Sequence, residues 1–369
     1  MLHVTLVDGP PQEVREFDNE LTHKLTADDV EVIREIFRTP LTGSYNWDYQ
    51  DANARIRKLY ELGKRFNWDA QMDVDWDAPF PRSEMPNDPK MNAFAGHPKY
   101  EALTPEQKLD FAWRSHAQTL SQFLHGEQGA MLVASQLVSC APTYDAKLYA
   151  SSQTFDEARH VEVFHKYLTE RCKIVYPINP NLKLLLDKVL TDERWDLKFI
   201  GMQVLIEGLA LAAFQSMTQS TRDPLLKQIL ELVQRDEGRH VAFGVNYLED
   251  WIRALPEEEI EERAQFAYEA CVIMRERLFS VDVAQEYGFT LEEAREINHN
   301  AQAGGAFRDF LFARMMPNLK RIGLLTESVR PKFEALGVLR FEDEVHDGLI
   351  DWATLEKPLP VTPRQMAAE

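Results

Sequence analysis

A six-residue block with two acids, an arginine and a histidine occurs twice in this chain at a fixed separation, and this limits its architecture more than any other feature. Asp156-Glu157-Ala158-Arg159-His160-Val161 returns 80 residues later as Asp236-Glu237-Gly238-Arg239-His240-Val241. A further Glu lies 30 residues before each block's Glu, at Glu127 and Glu207, so four carboxylates and two imidazoles share one offset. Tyr167-Leu168 and Tyr247-Leu248 extend the match. Spacing alone says little, because five of the ten histidines follow a Glu by three positions. Glu20/His23, Glu162/His165 and Glu296/His299 have that spacing without the surrounding repeat and are set aside.

Residues three apart on an α-helix share a face, so Glu157 with His160, and Glu237 with His240, can reach one ion. The midpoint between Glu127 and Glu157 is Pro142, and that between Glu207 and Glu237 adjoins Asp223-Pro224. Proline ends a helix and favours a turn. Each half therefore reads as a helical hairpin whose glutamates stand about fifteen residues, roughly 22 Å, from the turn. Two hairpins face to face bring all six side chains level, and six such donors suit two metal ions. The alternative, solvated charges on amphipathic helices, fits the flanks poorly. Glu127 runs into Gly129-Ala130-Met131-Leu132-Val133-Ala134, and Glu207 lies between Val204-Leu205-Ile206 and Gly208-Leu209-Ala210-Leu211. An unpaired carboxylate buried there is costly, and a bound cation removes the cost.

The remaining periodicity organises the chain as all-α. Residues 1–103 read as a wrapping extension, with a short helix after Thr26, another around 48–65, and a Trp- and Pro-rich stretch from Trp68 to Pro98. Residues 104–255 form the four-helix core. Thr104-Pro105-Glu106-Gln107 opens the helix carrying Glu127. The others span about 143–172, 194–219 and 224–255, with a long crossover through Pro177, Pro180 and a short helix near 182–191. Residues 256–369 add helices near 257–279, 290–302, 305–323 and 327–336 and a Pro-rich tail, which pad the bundle or make a homodimer contact.

Glutamate and neutral imidazole suit iron or manganese with positions left open, where a structural zinc site favours cysteine. Open positions imply O₂. Asp156 and Asp236 are placed to orient a ligating His, with Arg159 and Arg239 neutralising them. Gly126, Gly129, Gly208 and Gly238 adjoin the ligand glutamates. Each costs about 1 kcal/mol relative to Ala in mid-helix, which close helix approach or room for a substrate must offset. Phe123, Ala130, Met131, Phe164, Gln203, Leu211 and Phe214 lie on the ligand faces and would line an apolar substrate space. Tyr167 and Tyr247 read as packing residues.

A net charge of −19 argues against nucleic acid or an anionic membrane as partner. Cys140, Cys172 and Cys271 form neither a Cys-x-x-Cys pair nor a disulfide framework, which fits a reducing cytoplasm. Residues 1–8 lack a basic segment followed by a long apolar one, and no uncharged run approaches the roughly 18 residues of a membrane span. A soluble cytoplasmic protein is expected.

The paired Asp-Glu-x-Arg-His blocks with Glu127 and Glu207 resemble the ferritin-like carboxylate-bridged diiron proteins, in particular the bacterial hydrocarbon monooxygenase hydroxylases and the ribonucleotide reductase small subunit. There, two helices each give a Glu and the other two a Glu-x-x-His. The likeness covers about residues 105–255. It implies a ferritin-like four-helix bundle of two hairpins joined by one long crossover, with extra N- and C-terminal helices. It makes Glu127, Glu157, His160, Glu207, Glu237 and His240 the ligands of two iron ions, or of a manganese–iron pair.

Some positions depart from particular relatives. Phe164 stands where the reductase subunit commonly has its radical tyrosine. Ala130 and Met202 replace the Val and Tyr that related ligand-binding oxidases cross-link. Leu211 replaces a Thr typical of hydrocarbon hydroxylases, and Val233 an additional His of arylamine N-oxygenases. The resulting expectation is a non-haem diiron oxygenase or oxidase that uses O₂ to hydroxylate or otherwise oxidise a small apolar substrate, aromatic ones included. Without a Gly-rich dinucleotide motif it takes electrons from a separate reductase or ferredoxin. The alternatives are a radical-generating reductase-like subunit, an acyl desaturase-like oxidase, and metal storage.

Overall fold

Thr104 starts the first core helix by a reciprocal cap: its hydroxyl accepts from Gln107 N, and the Gln107 side chain accepts from Thr104 N. With Pro105 at the first helical position, the chain holds one helix for 36 residues. The computed structural model describes residues 15–16, 43–47, 49, 53–277, 281–300 and 302–349. The helix expected after Thr26 and the tail beyond 349 lie outside them.

Among the described residues the chain begins with a two-residue strand, β1 (Arg15–Glu16), and the helices α1 (Ala54–Arg65) and α2 (Pro98–Glu101). Two hairpins follow. The first is α3 (Pro105–Cys140) and α4 (Tyr144–Tyr167), which turn at Pro142 and continue into a π-helical turn, Leu168–Cys172. Lys173, in the left-handed region with φ +62°, ends that turn. The crossover contains β2 (Ile174–Val175), antiparallel to β1, and α5 (Pro180–Thr191). The second hairpin is α6 (Trp195–Phe199), a seven-residue π-helix (Ile200–Ile206), α7 (Glu207–Ser220) and α8 (Pro224–Ala254). Outside the bundle lie α9 (Glu257–Arg277), α10 (Asp282–Glu286), α11 (Leu291–Asn300), α12 (Gln302–Arg321) and α13 (Arg330–Ala335). The fold is all-α, and the third core helix differs from a regular expectation in widening to π geometry just before Glu207.

The two repeat tyrosines hold the hairpins in register. Thr143 caps α4 and Asp223 caps α8, 80 residues apart like the tyrosines. Tyr167 of the first hairpin donates to Asp223 Oδ2 at 2.9 Å, and Tyr247 of the second lies 3.0 Å from Thr143 Oγ1. Each hairpin thus ties down the other's turn. The turns therefore sit at opposite ends, and the glutamate layer lies midway between them.

The stretch Trp195–Ser220 is long and apolar enough to cross a membrane, yet its apolar window is wholly buried inside the bundle. α9 packs on α5 and the π-helix, α12 on α7, and α1 on α4 and α8. The helix glycines divide by use. A Cβ on Gly129 would stand 2.4 Å from Leu186 Cδ2, so there the gain is close approach to α5. At Gly126 a Cβ would meet nothing within 4 Å, and at Gly208 only Met315 at 3.8 Å.

Gly244 matters more: a Cβ there would stand 2.5 Å from Gln203 Cβ and 3.4 Å from the Gln203 carbonyl carbon, neither of which can swing away. Gly244→Ala is expected to destabilise the metal-free protein by about 1–3 kcal/mol, overpacking outweighing the gain in helix propensity. Gly126→Ala should instead stabilise it by up to ~1 kcal/mol. Urea unfolding checks both, and midpoints that move in the same direction would refute this reading of the packing.

Candidate metal centre

Glu127 enters the bundle from α3, Glu157 and His160 from α4, Glu207 from the start of α7, and Glu237 and His240 from α8. All six residues are at most 3 % exposed. They fall into two groups whose donor atoms lie within 4.8 Å of one another: Glu127, Glu157, His160 and Glu237, and Glu157, Glu207, Glu237 and His240. Glu157 and Glu237 belong to both, the placement of bridging carboxylates. By contrast Glu162, His165 and Glu296 are exposed, while Glu20 and His23 lie outside the described residues.

Each histidine faces inward with Nδ1. His160 Nδ1 lies 3.0 to 3.3 Å from Glu127, Glu157 and Glu237, and His240 Nδ1 lies 3.1 Å from Glu157 and Glu237. The outer nitrogens cross between the repeats: His160 Nε2 is 3.1 Å from Asp236 Oδ2, and His240 Nε2 is 3.3 Å from Asp156 Oδ2. An ionised carboxylate can only accept, so each Nε2 carries a proton, and a ring that gives up its Nδ1 proton can offer that lone pair inward. Arg159 bonds Asp156 and also reaches Asp236 Oδ2 at 3.1 Å, while Arg239 bonds Asp236.

Trp68 was not singled out by sequence. It is 1 % exposed and donates from Nε1 to Asp236 Oδ2 at 2.7 Å. Its ring stacks on that of His160 at 6.4 Å, with the Arg159 guanidinium 5.0 Å above it. The wrapping segment thus reaches the centre through one indole. Gln153 was also missed. Its amide donates to Glu157 Oε1 at 3.0 Å and lies 3.5 Å from Glu207 Oε1, and Gln203 donates to Gln153 at 3.3 Å. Its position four residues before a ligand Glu, like that of Gln203, was a usable signal.

Of the seven expected pocket residues, Phe123, Phe164, Leu211 and Phe214 fall on the side of the ligand layer towards the Asp223 turn. Ala130, Met131 and Gln203 fall on the other side. The three Phe rings pack together, with centroids 4.6 to 6.2 Å apart. Ala130 and Leu211 are buried in the core, and Met131 is half-buried.

The donor set fits two divalent cations by charge. Burial, then the charge of Glu237, raises Glu127 well above the usual carboxyl range, and burial with the charges of Glu157 and Glu237 does the same to Glu207. For His160 burial works against the charge, but bonds to Asp236 and the glutamates outweigh it and hold the ring protonated well above its ordinary value. Glu157 and Glu237 outweigh burial in the same way at His240. Burial also works to raise Glu157 and Glu237, yet the His240 charge holds both below the usual range. Without metal, protons on Glu127, Glu207, His160 and His240 keep the cluster near neutral. Two divalent ions against four carboxylates reach the same balance. Glu157 Oε2 and Glu237 Oε1 are buried and face His160 Nδ1 at 3.2 and 3.0 Å, so the same oxygens can turn from the imidazole to an ion.

The chain matches the family described as p-aminobenzoate N-oxygenase AurF over residues 49–323. No curated protein matches it. Among solved structures it is similar to an R2-like ligand-binding oxidase with an aerobically reconstituted Mn/Fe cofactor, at 18% identity and a TM-score of 0.51, over 76% of this chain and 99% of that one. A variant of the same oxidase with an anaerobically reconstituted Mn/Fe cofactor has 18% identity and a TM-score of 0.51, over 75% of this chain and 96% of that one. At such identity the likeness speaks for the fold alone.

The protonation pattern makes metal uptake and stability depend on pH. Folded-state values raised at Glu127, Glu207, His160 and His240 mean that the folded metal-free protein holds more protons than the unfolded chain. Stability is therefore lost as pH rises from about 4.5 for the glutamates, and from about 6.5 for the histidines, up to their folded values. The metal-free protein should melt lower at pH 8 than at pH 6, and Mn(II) should raise its melting temperature more at pH 8. Each ion should release protons on binding. Mn(II) affinity that stays flat between pH 6 and 8 would contradict this proton-for-metal exchange.

Proposed function

The chain belongs to the p-aminobenzoate N-oxygenase AurF family and is an O₂-dependent diiron oxidoreductase of the ferritin-like superfamily, and on that premise we propose that it oxygenates a small, apolar aromatic molecule at a centre held by Glu127, Glu157, His160, Glu207, Glu237 and His240. The observation that carries this reading is the pair of donor groups sharing Glu157 and Glu237. In this assignment Glu127 with His160, and Glu207 with His240, would each help to hold one ion, and Glu157 and Glu237, common to both donor groups, would serve both. When bound, a pair of iron ions, or a manganese–iron pair, supplies electrons to O₂.

The protein's own residues do the rest. Asp156 and Asp236 hold the histidine Nε2 protons and fix the rings, and Arg159 and Arg239 balance those carboxylates. Gln153 holds Glu157 by one hydrogen bond. Phe123, Phe164 and Phe214 keep water from one side of the layer. The family name favours an aromatic amine oxidised at nitrogen, whereas Val233, buried four residues before Glu237, offers no further imidazole; both arylamines and plain arenes belong in the assay. Electrons come from a separate reductase or ferredoxin. We read residues 104–255 as the catalytic core, with 1–103 and 256–369 packed around it, in a cytoplasmic protein whose outer helices serve a homodimer.

Glu207→Ala and His240→Ala are each expected to lose at least one metal ion of two, measured by elemental analysis of folded protein. Retention of both ions in both variants would overturn the ligand assignment. A peroxide-driven assay over arylamines, arenes and alkanes should give oxygenated product from the aromatic members first. A stable radical with no product from any of them would instead favour the radical-generating subunit.

A further inference from the structure

The ligand layer follows the two-fold relation of the repeat, but the two sides flanking it do not. Towards the Asp223 turn lie Phe123, Phe164 and Phe214, and the positions related to them by the repeat offset are Gln203, Gly244 and Ala134. Phe123 precedes Glu127 by four residues and Phe164 follows His160 by four, so each is offset along its helix by one turn, about 6 Å of rise, from a residue of the donor layer. One turn further out, Thr119 and Met217 belong to the wall of a cavity of about 310 Å³. Met85–Pro89 and Met91–Phe94 of the wrapping segment, with Tyr100 and Phe111, also line it. Carboxylate cluster, aromatic triad and cavity therefore lie in sequence along the bundle axis.

We propose that this cavity is a holding site for a small aromatic molecule on its way to the centre, and that the contact of Phe123 with Phe214 is the gate between the two. The proposal rests on the oxygenase reading for its direction. The cavity is flanked by the rings of Phe94, Tyr100 and Phe111, and its size is that of a small-molecule site. Ser115 from α3 and Ser216 from α7 bring to it hydroxyls with no hydrogen-bond partner among the described residues. Asp88 and Arg308 oppose each other in sign at the wall. These features select an uncharged planar ring with one hydrogen-bonding substituent.

The gate is closed as it stands. A ring passing between two others needs their centroids about 7 Å apart, two contacts of about 3.5 Å. Phe123 and Phe214 are 4.6 Å apart. Phe164 and Phe214 are fully buried, whereas Phe123 is half-buried, so it is the ring with room to turn. A single side-chain rotation of this kind is fast compared with turnover.

The test uses the full chain and 4-fluoroaniline followed by fluorine NMR. In the metal-free protein, Ser216→Trp, and independently Met217→Trp, should weaken binding by about tenfold or more. Phe123→Ala should leave that affinity nearly unchanged. With Mn(II) loaded, it should raise the paramagnetic broadening of the bound probe by at least about tenfold, as the ring moves one turn closer to the ion. Melting curves identify folded variants. Wild-type affinity in a folded Trp variant overturns the holding site, and equal broadening in the wild type and in Phe123→Ala overturns the gate. Mn(II) that fails to bind defeats the oxygenase reading instead, and the metal-free titrations still decide the cavity.

Discussion

Four carboxylates and two imidazoles buried in the middle of an apolar bundle constrain this structure more than any packing detail. Such a cluster is tolerable only if its charge is cancelled locally, because the interior cannot screen it as water would. Here cancellation works in two states, protons on Glu127, Glu207, His160 and His240 or two divalent cations among the same donors. The histidines must serve both. Their Nε2 atoms stay on Asp236 and Asp156 at 3.1 and 3.3 Å, so the exchange is confined to Nδ1 and to the glutamates. The surrounding aspartates and arginines are a fixed, neutral frame around a cluster whose counter-charge changes.

Partner exchange between the repeats builds that frame. The aspartate of each block holds the histidine of the other, and the tyrosine of each hairpin bonds the helix cap of the other. Neither hairpin can complete its own centre. Four helices crossing at the level of the ligands are thus coupled by directed bonds as well as by apolar contact, and the buried polar network specifies one relative register. Trp68 adds the wrapping segment to this register through Asp236, a bond that has no counterpart at Asp156 among the described residues.

The repeat made the helical hairpins, both turns, the long crossover and the six converging side chains legible, because each depends on local chemistry: a capping box at Thr104, prolines at 142 and 224, and ligand pairs three residues apart. What stayed illegible depends on tertiary approach. The π-helix over Ile200–Ile206 follows from no single breaker residue, and the crossed pairing of Asp156 with His240 requires knowing how the hairpins face. Trp68 lies 59 residues from the nearest ligand glutamate in a stretch with no periodicity. The glycines were ambiguous for the same reason: Gly129 is a space filled by Leu186, while Gly126 has nothing within 4 Å of where a Cβ would stand.

Departures from the two-fold relation say more about function than the relation itself. The repeat offset carries Phe164 onto Gly244, Phe123 onto Gln203, and Gln153 onto Val233, so a symmetric set of donors has one dry aromatic side and one amide side. The amide side is packed shut, since Gln203 occupies the space a Gly244 side chain would need and Gln153 is hydrogen-bonded to Glu157. A molecule approaching there would have to break those bonds. On the aromatic side the barrier is a contact between rings, which costs little to open and closes again without leaving a polar group unpaired. An apolar molecule would therefore meet the lower barrier through the phenylalanines, and the two halves of the donor set, alike in residue type, face different surroundings.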